Sequence, residues 1–188
     1  MADTARPSRP LPRPLPRPTL AALALLTLLG ACATSAPPDD KPPPAPACAS
    51  GERLPVGQTC SLRVDSAQRN TPLPLVLAPG DRYRVELPGG QLWRDAGQAL
   101  VDPLQGDNGA DNPVMRWFSS LKRLPTENYM VAGLAQEGSR PVRIGAPGLT
   151  LVVAQYGPVN FFANDVWPMH CNNSGRVWVT VRRLAAEP

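Results

Sequence analysis

The stretch Asn164-Asp165-Val166-Trp167-Pro168-Met169-His170-Cys171-Asn172-Asn173-Ser174-Gly175 sets one carboxylate and two adjacent carboxamides around a short, turn-rich loop. Oxygen donors so spaced suit a hard cation, since calcium takes six to eight oxygens from carboxylates, amides, backbone carbonyls and water. The competing reading is a tight turn, because Asn and Gly accept positive φ and an Asn side chain can close a turn on its own backbone. Ser174, His170 and Asp165 also lie close together in sequence, but they fall on one turn and lack the nucleophile elbow of a hydrolase. Neither a phosphate loop, nor paired catalytic acids, nor a zinc-hydrolase motif is legible, so the chain does not read as an enzyme.

The loop needs two rigid elements to aim its donors, and the sequence supplies both. Val159 to Ala163 precedes it as an apolar run, and Arg176 to Arg182 follows with Val177, Val179 and Val181 opposing Arg176, Trp178 and Thr180. Such alternation is that of a strand with one face buried and one wet. Further strands are predicted at Ser61 to Asp65, Leu73 to Leu77, Arg82 to Leu87, Val114 to Phe118, Tyr129 to Leu134, Pro141 to Ile144 and Leu149 to Ala154, with a helical turn only at Ser119 to Leu124. Turn signals such as Pro79-Gly80-Asp81, Pro88-Gly89-Gly90 and Gly157-Pro158 punctuate them at sandwich-like spacing. The expectation is an all-β fold.

The N-terminal residues carry different information. Arg6, Arg9, Arg13 and Arg17 precede the apolar stretch Leu20 to Leu29, which is too short for a lasting membrane span and ends in Leu29-Gly30-Ala31-Cys32. Small residues before a cysteine at that point form a bacterial lipobox, predicting a signal peptide over 1–31, cleavage before Cys32 and lipid on that cysteine. The prolines and arginines of the leader could instead be a proline-rich ligand motif, but their place ahead of the lipobox assigns them to the leader. Ala33 after the cysteine directs such a lipoprotein to the outer membrane of a Gram-negative cell. Without residues 1–31 the formal charge falls from +4 to +1, from 15 basic and 14 acidic residues. No basic stripe or recognition motif then remains, and nucleic acid is excluded as a partner. Residues 32–47 hold Pro37, Pro38, Pro42, Pro43, Pro44 and Pro46, an extended tether of roughly 3 Å per residue. The folded domain is expected over 48–188.

Ala78-Pro79-Gly80-Asp81, Asn164-Asp165-Val166 and Asn172-Asn173-Ser174-Gly175 together resemble the LecA-type galactophilic bacterial lectins over about residues 72–183. Seven positions separate Asp165 from Asn172, as in that family's calcium loop. The resemblance implies a galactose-binding-like jelly-roll β-sandwich that holds sugar through a calcium ion. Carried over residue by residue, it gives Asp165 as carboxylate ligand, Asn172 and Asn173 as amide ligands, and Met169 and Trp93 as backbone-carbonyl ligands. Sugar would then meet Asp165, Val166, Asn172 and Trp93. A plain core or rim aromatic is the other reading of Trp93. A single carboxylate leaves the ion a net positive charge and implies modest calcium affinity, sufficient outside the cytoplasm.

The sequence also departs from that family. The His and Gln with which those lectins contact the sugar's exocyclic hydroxyl have no counterpart in Leu104 to Pro113, so a galactoside is only one candidate, and loss of the sugar site in favour of a structural or interaction role in the envelope is the alternative. His170, the only histidine, could replace the missing contact or be a polar surface residue. With Cys32 given to lipid, Cys48, Cys60 and Cys171 allow one disulfide and one free thiol. Cys48 with Cys60 is the preferred pair, and Cys60 with Cys171 the alternative.

Overall fold

The computed structural model describes residues 41–95, 100–108, 113–167 and 169–187. The chain divides into Met1–Gly30 and Ala31–Pro188, and every described residue belongs to the second unit. The predicted signal peptide and Cys32 lie outside the described residues.

Among the described residues ten strands form: β1 (Thr59–Asp65), β2 (Thr71–Pro72), β3 (Arg82–Glu86), β4 (Trp93–Arg94), β5 (Leu100–Val101), β6 (Ala132–Gln136), β7 (Val142–Arg143), β8 (Leu149–Val152), β9 (Val159–Ala163) and β10 (Arg176–Leu184). One antiparallel sheet runs β1-β10-β3-β8 and a second β2-β9-β6-β7, while β4 and β5 make a separate ribbon. Set that ribbon aside and the strands in chain order fall 1-8-3-6 in one sheet and 2-7-4-5 in the other. This alternation between two sheets is the jelly-roll winding. The fold is an all-β sandwich.

Alternation fixes which face goes inward. On β10 Val177, Val179 and Val181 are fully buried and stand opposite Val64, Leu62 and Cys60 of β1. Tyr83 and Val85 of β3 meet the same core, which Leu134 of β6 and Val159 and Phe161 of β9 close from the other sheet. Burying side chains of this size contributes about 1.5–3 kcal/mol each. A disulfide joins Cys48 to Cys60, the preferred pairing, and ties the segment entering the domain to β1. Cys171, expected to be left over as a free thiol, is not free.

Two predicted strands are corrected. Val114 to Phe118 lies in a short helix, α1 (Pro113–Phe118), followed by a 3-10 turn at Ser119–Leu121. Pro113 opens it, a position where its fixed φ suits a helix and its missing N–H costs nothing, and Met115 and Phe118, three apart on one helix face, pack against the core. Leu73, Leu75 and Leu77 are buried, as a strand would have them, but only Thr71–Pro72 belongs to a strand and the chain bends at Leu75. Pro72 and Pro74 carry no N–H, so a regular ladder cannot continue there. Its remaining groups bond irregularly, Gly51 N–H to Pro74 O at 2.9 Å and Val76 N–H to Glu52 O at 2.8 Å.

Candidate functional site

The end of β9 delivers Asn164 and Asp165 into the interior. Asn164 pairs through its backbone with Val131 and Met130, both at 2.9 Å. Its side chain accepts the Leu124 N–H at 2.9 Å and donates to Leu124 O at 3.0 Å and Asn128 O at 2.9 Å, which pins the loop after α1 beneath the site. Asp165 follows with only 1% exposure. One of its oxygens accepts the Val166 N–H at 2.6 Å and the other accepts the Asn173 amide at 2.9 Å.

The chain returns through a 3-10 turn at Met169–Asn172. Asn173 N–H bonds His170 O at 3.1 Å, and Ser174 exchanges two backbone hydrogen bonds with Arg94 of β4, at 2.8 and 2.9 Å. The residue after β1 closes the third side: Ser66 bonds Gly175 O through both its N–H and its hydroxyl, and Ser66 O lies 3.4 Å from the Asn173 amide nitrogen. Asp165 and Asn173 are therefore brought together, with Asn172 buried at the adjacent position of the turn.

Their oxygens are not all used. The Asn172 and Asn173 side-chain carbonyl oxygens are buried without a hydrogen-bond partner, as is His170 Nε2. Leaving such groups unpaired costs about 1–3 kcal/mol each. The Asn173 amide nitrogen faces two acceptors, Asp165 and Ser66 O, which fixes its carbonyl oxygen as the atom left over. Burial pushes the Asp165 carboxyl up, against the Val166 N–H, the Asn173 amide, His170 and Lys122, which favour its charge.

A residue the sequence reading missed stands beside them. Asp95, one position past β4, is 7% exposed. Burial first, then the charges of Asp165 and Asp107, push its carboxyl up to about 7. Asp165 and Asp95 help burial raise the Tyr129 hydroxyl to about 12. Burial lowers Lys122, whose ammonium donates to Glu127 O and lies 4.0 Å from the Tyr129 ring centroid. Among the described residues no group of three or more His, Cys, Asp and Glu side chains is arranged as a metal cluster. The donors here are carboxylate and carboxamide oxygens, a set that fits calcium better than a soft or borderline metal.

Other predicted site residues are placed differently. Trp93 is wholly buried and its indole N–H donates to Met130 O at 2.7 Å, so its ring is a core aromatic rather than a sugar platform. Arg94 points its N–H and C=O at Ser174, and peptide groups alternate along a strand. The Trp93 carbonyl accordingly faces Val101 of β5, its cross-strand partner, away from the loop. The expected fifth ligand is thus not delivered. The Val166 N–H is spent on Asp165 and its carbonyl on Met169 N–H at 2.7 Å, while its side chain joins the core. His170 is buried rather than a surface residue, and burial lowers its pKa against the pull of Asp165. Met169 opens the 3-10 turn, half-buried against the core. Pro168 lies outside the described residues. Trp167, 59% exposed, stands at the rim with the Arg69 guanidinium 5.4 Å from its ring centroid.

No family model matches this chain, and no curated protein matches it. Among solved structures, one described as the EclA N-terminal domain, a PllA-like lectin, is similar with 18% identity over 65% of this chain and 94% of that chain, at a TM-score of 0.46.

Proposed function

We propose that this chain is a cell-envelope lipoprotein whose sandwich domain binds carbohydrate at a calcium site built on Asp165, Asn172 and Asn173. The observation that carries the reading is the pair of buried, unpartnered carboxamide oxygens beside a buried carboxylate. A cation coordinated there would satisfy all three groups together. Asp165 supplies charge, Asn172 and Asn173 supply neutral oxygens, and the Met169 carbonyl is a further donor on the same turn. Bound calcium supplies open coordination positions that neighbouring hydroxyls of a neutral sugar can fill in place of water.

This chain's own residues do the positioning. Asn173 holds Asp165 through its amide, and the Ser174–Arg94 pair holds the loop to β4. At the rim, Trp167 is the exposed aromatic two residues from Asp165, and an indole face suits the apolar face of a pyranose. A lipid anchor on Cys32 would display many copies on one surface, which multiplies avidity without new contacts, although residues 41–47 of the predicted tether are held to the domain, Pro46 O accepting the Ser61 N–H at 2.7 Å and Lys41 O the Trp178 indole N–H at 2.6 Å.

A second reading has its own support. Three predicted sugar contacts are withdrawn: the Trp93 ring and His170 are buried, and the Val166 backbone is spent. That arrangement favours an ion that braces the loop of an envelope interaction protein without touching sugar. A glycan array probed with the domain on multivalent beads separates the two. Binding with calcium that is lost in EDTA and in Asp165→Ala supports the lectin. A folded, calcium-loaded domain that retains no glycan supports the interaction protein.

A further inference from the structure

We propose that Asp95 is a second carboxylate ligand of the cation site, converting the single-carboxylate loop expected from sequence into a site of two carboxylates and two carboxamides. The inference rests on the calcium reading above and deepens it.

The placement comes from the backbone. Arg94 and Ser174 exchange both of their peptide hydrogen bonds, at 2.8 and 2.9 Å, as a hydrogen-bonded antiparallel pair. One step along each segment sets Asp95 across from Asn173. In an antiparallel pair the positions next to a hydrogen-bonded pair bring their Cα atoms to about 4.5 Å and put both side chains on one face. Asn173 in turn holds Asp165 at 2.9 Å through its amide and keeps its carbonyl oxygen free and buried. The three side chains converge from β4, the end of β9 and the turn before β10.

The chemistry of Asp95 agrees with the placement. It is more than nine-tenths buried, and among the described residues no hydrogen bond or ion pair reaches its carboxylate. Its electrostatic neighbours are carboxylates, Asp165 and Asp107. A buried acid facing acids, with no donor of its own, is costly to keep charged unless a cation joins it. A structural carboxylate would instead be expected to hold an Arg or a row of backbone N–H groups, as Asp81 does with Arg53, Arg183 and the Ala78 N–H. Two carboxylates would neutralise a divalent cation, and calcium sites tighten as ligand charge rises.

Calorimetric calcium titration of the domain, paired with terbium luminescence, tests this on wild type, Asp95→Asn, Asp95→Ala and Asp165→Asn. Asp95→Asn keeps the shape and removes the charge, and the inference expects at least a tenfold rise in calcium Kd. In Asp95→Ala the luminescence lifetime in light against heavy water should report additional water on the ion, which loss of a merely structural carboxylate would not produce. If Asp95→Ala fails to fold, Asp95→Asn decides. Wild-type binding that weakens in Asp165→Asn yet is unchanged in Asp95→Asn overturns the role of Asp95 and leaves the calcium site standing. A wild-type domain that binds neither ion overturns the calcium reading itself.

Discussion

Asp81→Asn is the perturbation whose size the structure defines most directly. The Asp81 carboxylate accepts from Arg53 at 2.5 and 3.1 Å, from Arg183 at 2.9 Å, from the Ala78 N–H at 3.1 Å and from the Tyr83 hydroxyl at 3.3 Å. Burial alone would raise this acid, but the Arg53 hydrogen bonds, the Ala78 N–H and the charges of Arg183 and Arg53 outweigh it and hold the group at about 2, against 3.8 for a free Asp. The folded state therefore binds the proton less readily than the unfolded chain. Stability from this group is fully present above about pH 4 and is lost as pH falls toward 2. At about 1.4 kcal/mol per pH unit, the network contributes about 2 kcal/mol at pH 7. Asp81→Asn should cost that much, a drop of roughly 5–10 °C in Tm for a domain of this size. Thermal melts of both proteins in EDTA from pH 7 down to pH 2 are the assay. The two curves of Tm against pH should converge at the acid end. A variant that melts with wild type at pH 7, or a gap that stays constant down to pH 2, refutes the reasoning.

Calcium at a hundredfold excess over Kd should stabilise the wild-type domain by about 2.7 kcal/mol, and Asp165→Ala should lose that shift; an EDTA-insensitive wild-type Tm counts against the site. Gly106→Ala should destabilise by about 2 kcal/mol or more in denaturant melts, because Gly106 has φ +69° and an added Cβ would lie 2.4 Å from Tyr129 O; an unaffected midpoint would show that this turn yields. Cys32→Ala should abolish acyl labelling and detergent-phase partitioning of the exported chain; unchanged labelling and partitioning in the variant would refute the anchor.

What the sequence could reveal tracks how local the cause is. The β3 and β10 alternations were legible because burial of Tyr83, Val85, Val177, Val179 and Val181 repeats every second residue within one strand. Asp165, Asn172 and Asn173 stood out in the sequence because one loop carries all three, and the fold of that loop holds Asp165 to Asn173 at 2.9 Å. The helix at Pro113–Phe118 was misread because Val, Trp and Phe are strand formers and six residues are too few to display a helical period. Asp95 belongs to a harder class. Nothing in Trp93-Arg94-Asp95 marks a ligand, and its meaning depends on a backbone pair between Arg94 and Ser174, eighty positions apart.

The Trp93 correction has the same origin and sharpens the argument about the site. The resemblance pointed to the Trp93 carbonyl on β4, but a strand presents its peptide groups to alternate edges, so a displacement of one residue reverses which edge receives them. That assignment placed a carbonyl in the loop where the structure places a side chain instead, that of Asp95 opposite Asn173. A backbone carbonyl would have left the site with one formal negative charge. The observed strand brings a second carboxyl near Asp165 while Asn172 and Asn173 keep buried oxygens unspent. Without a cation, both the charge repulsion and the unpaired oxygens are costs to the fold, and one bound divalent ion would relieve both at once. That shared remedy is the argument for the single cation site proposed above over a turn that happens to be polar.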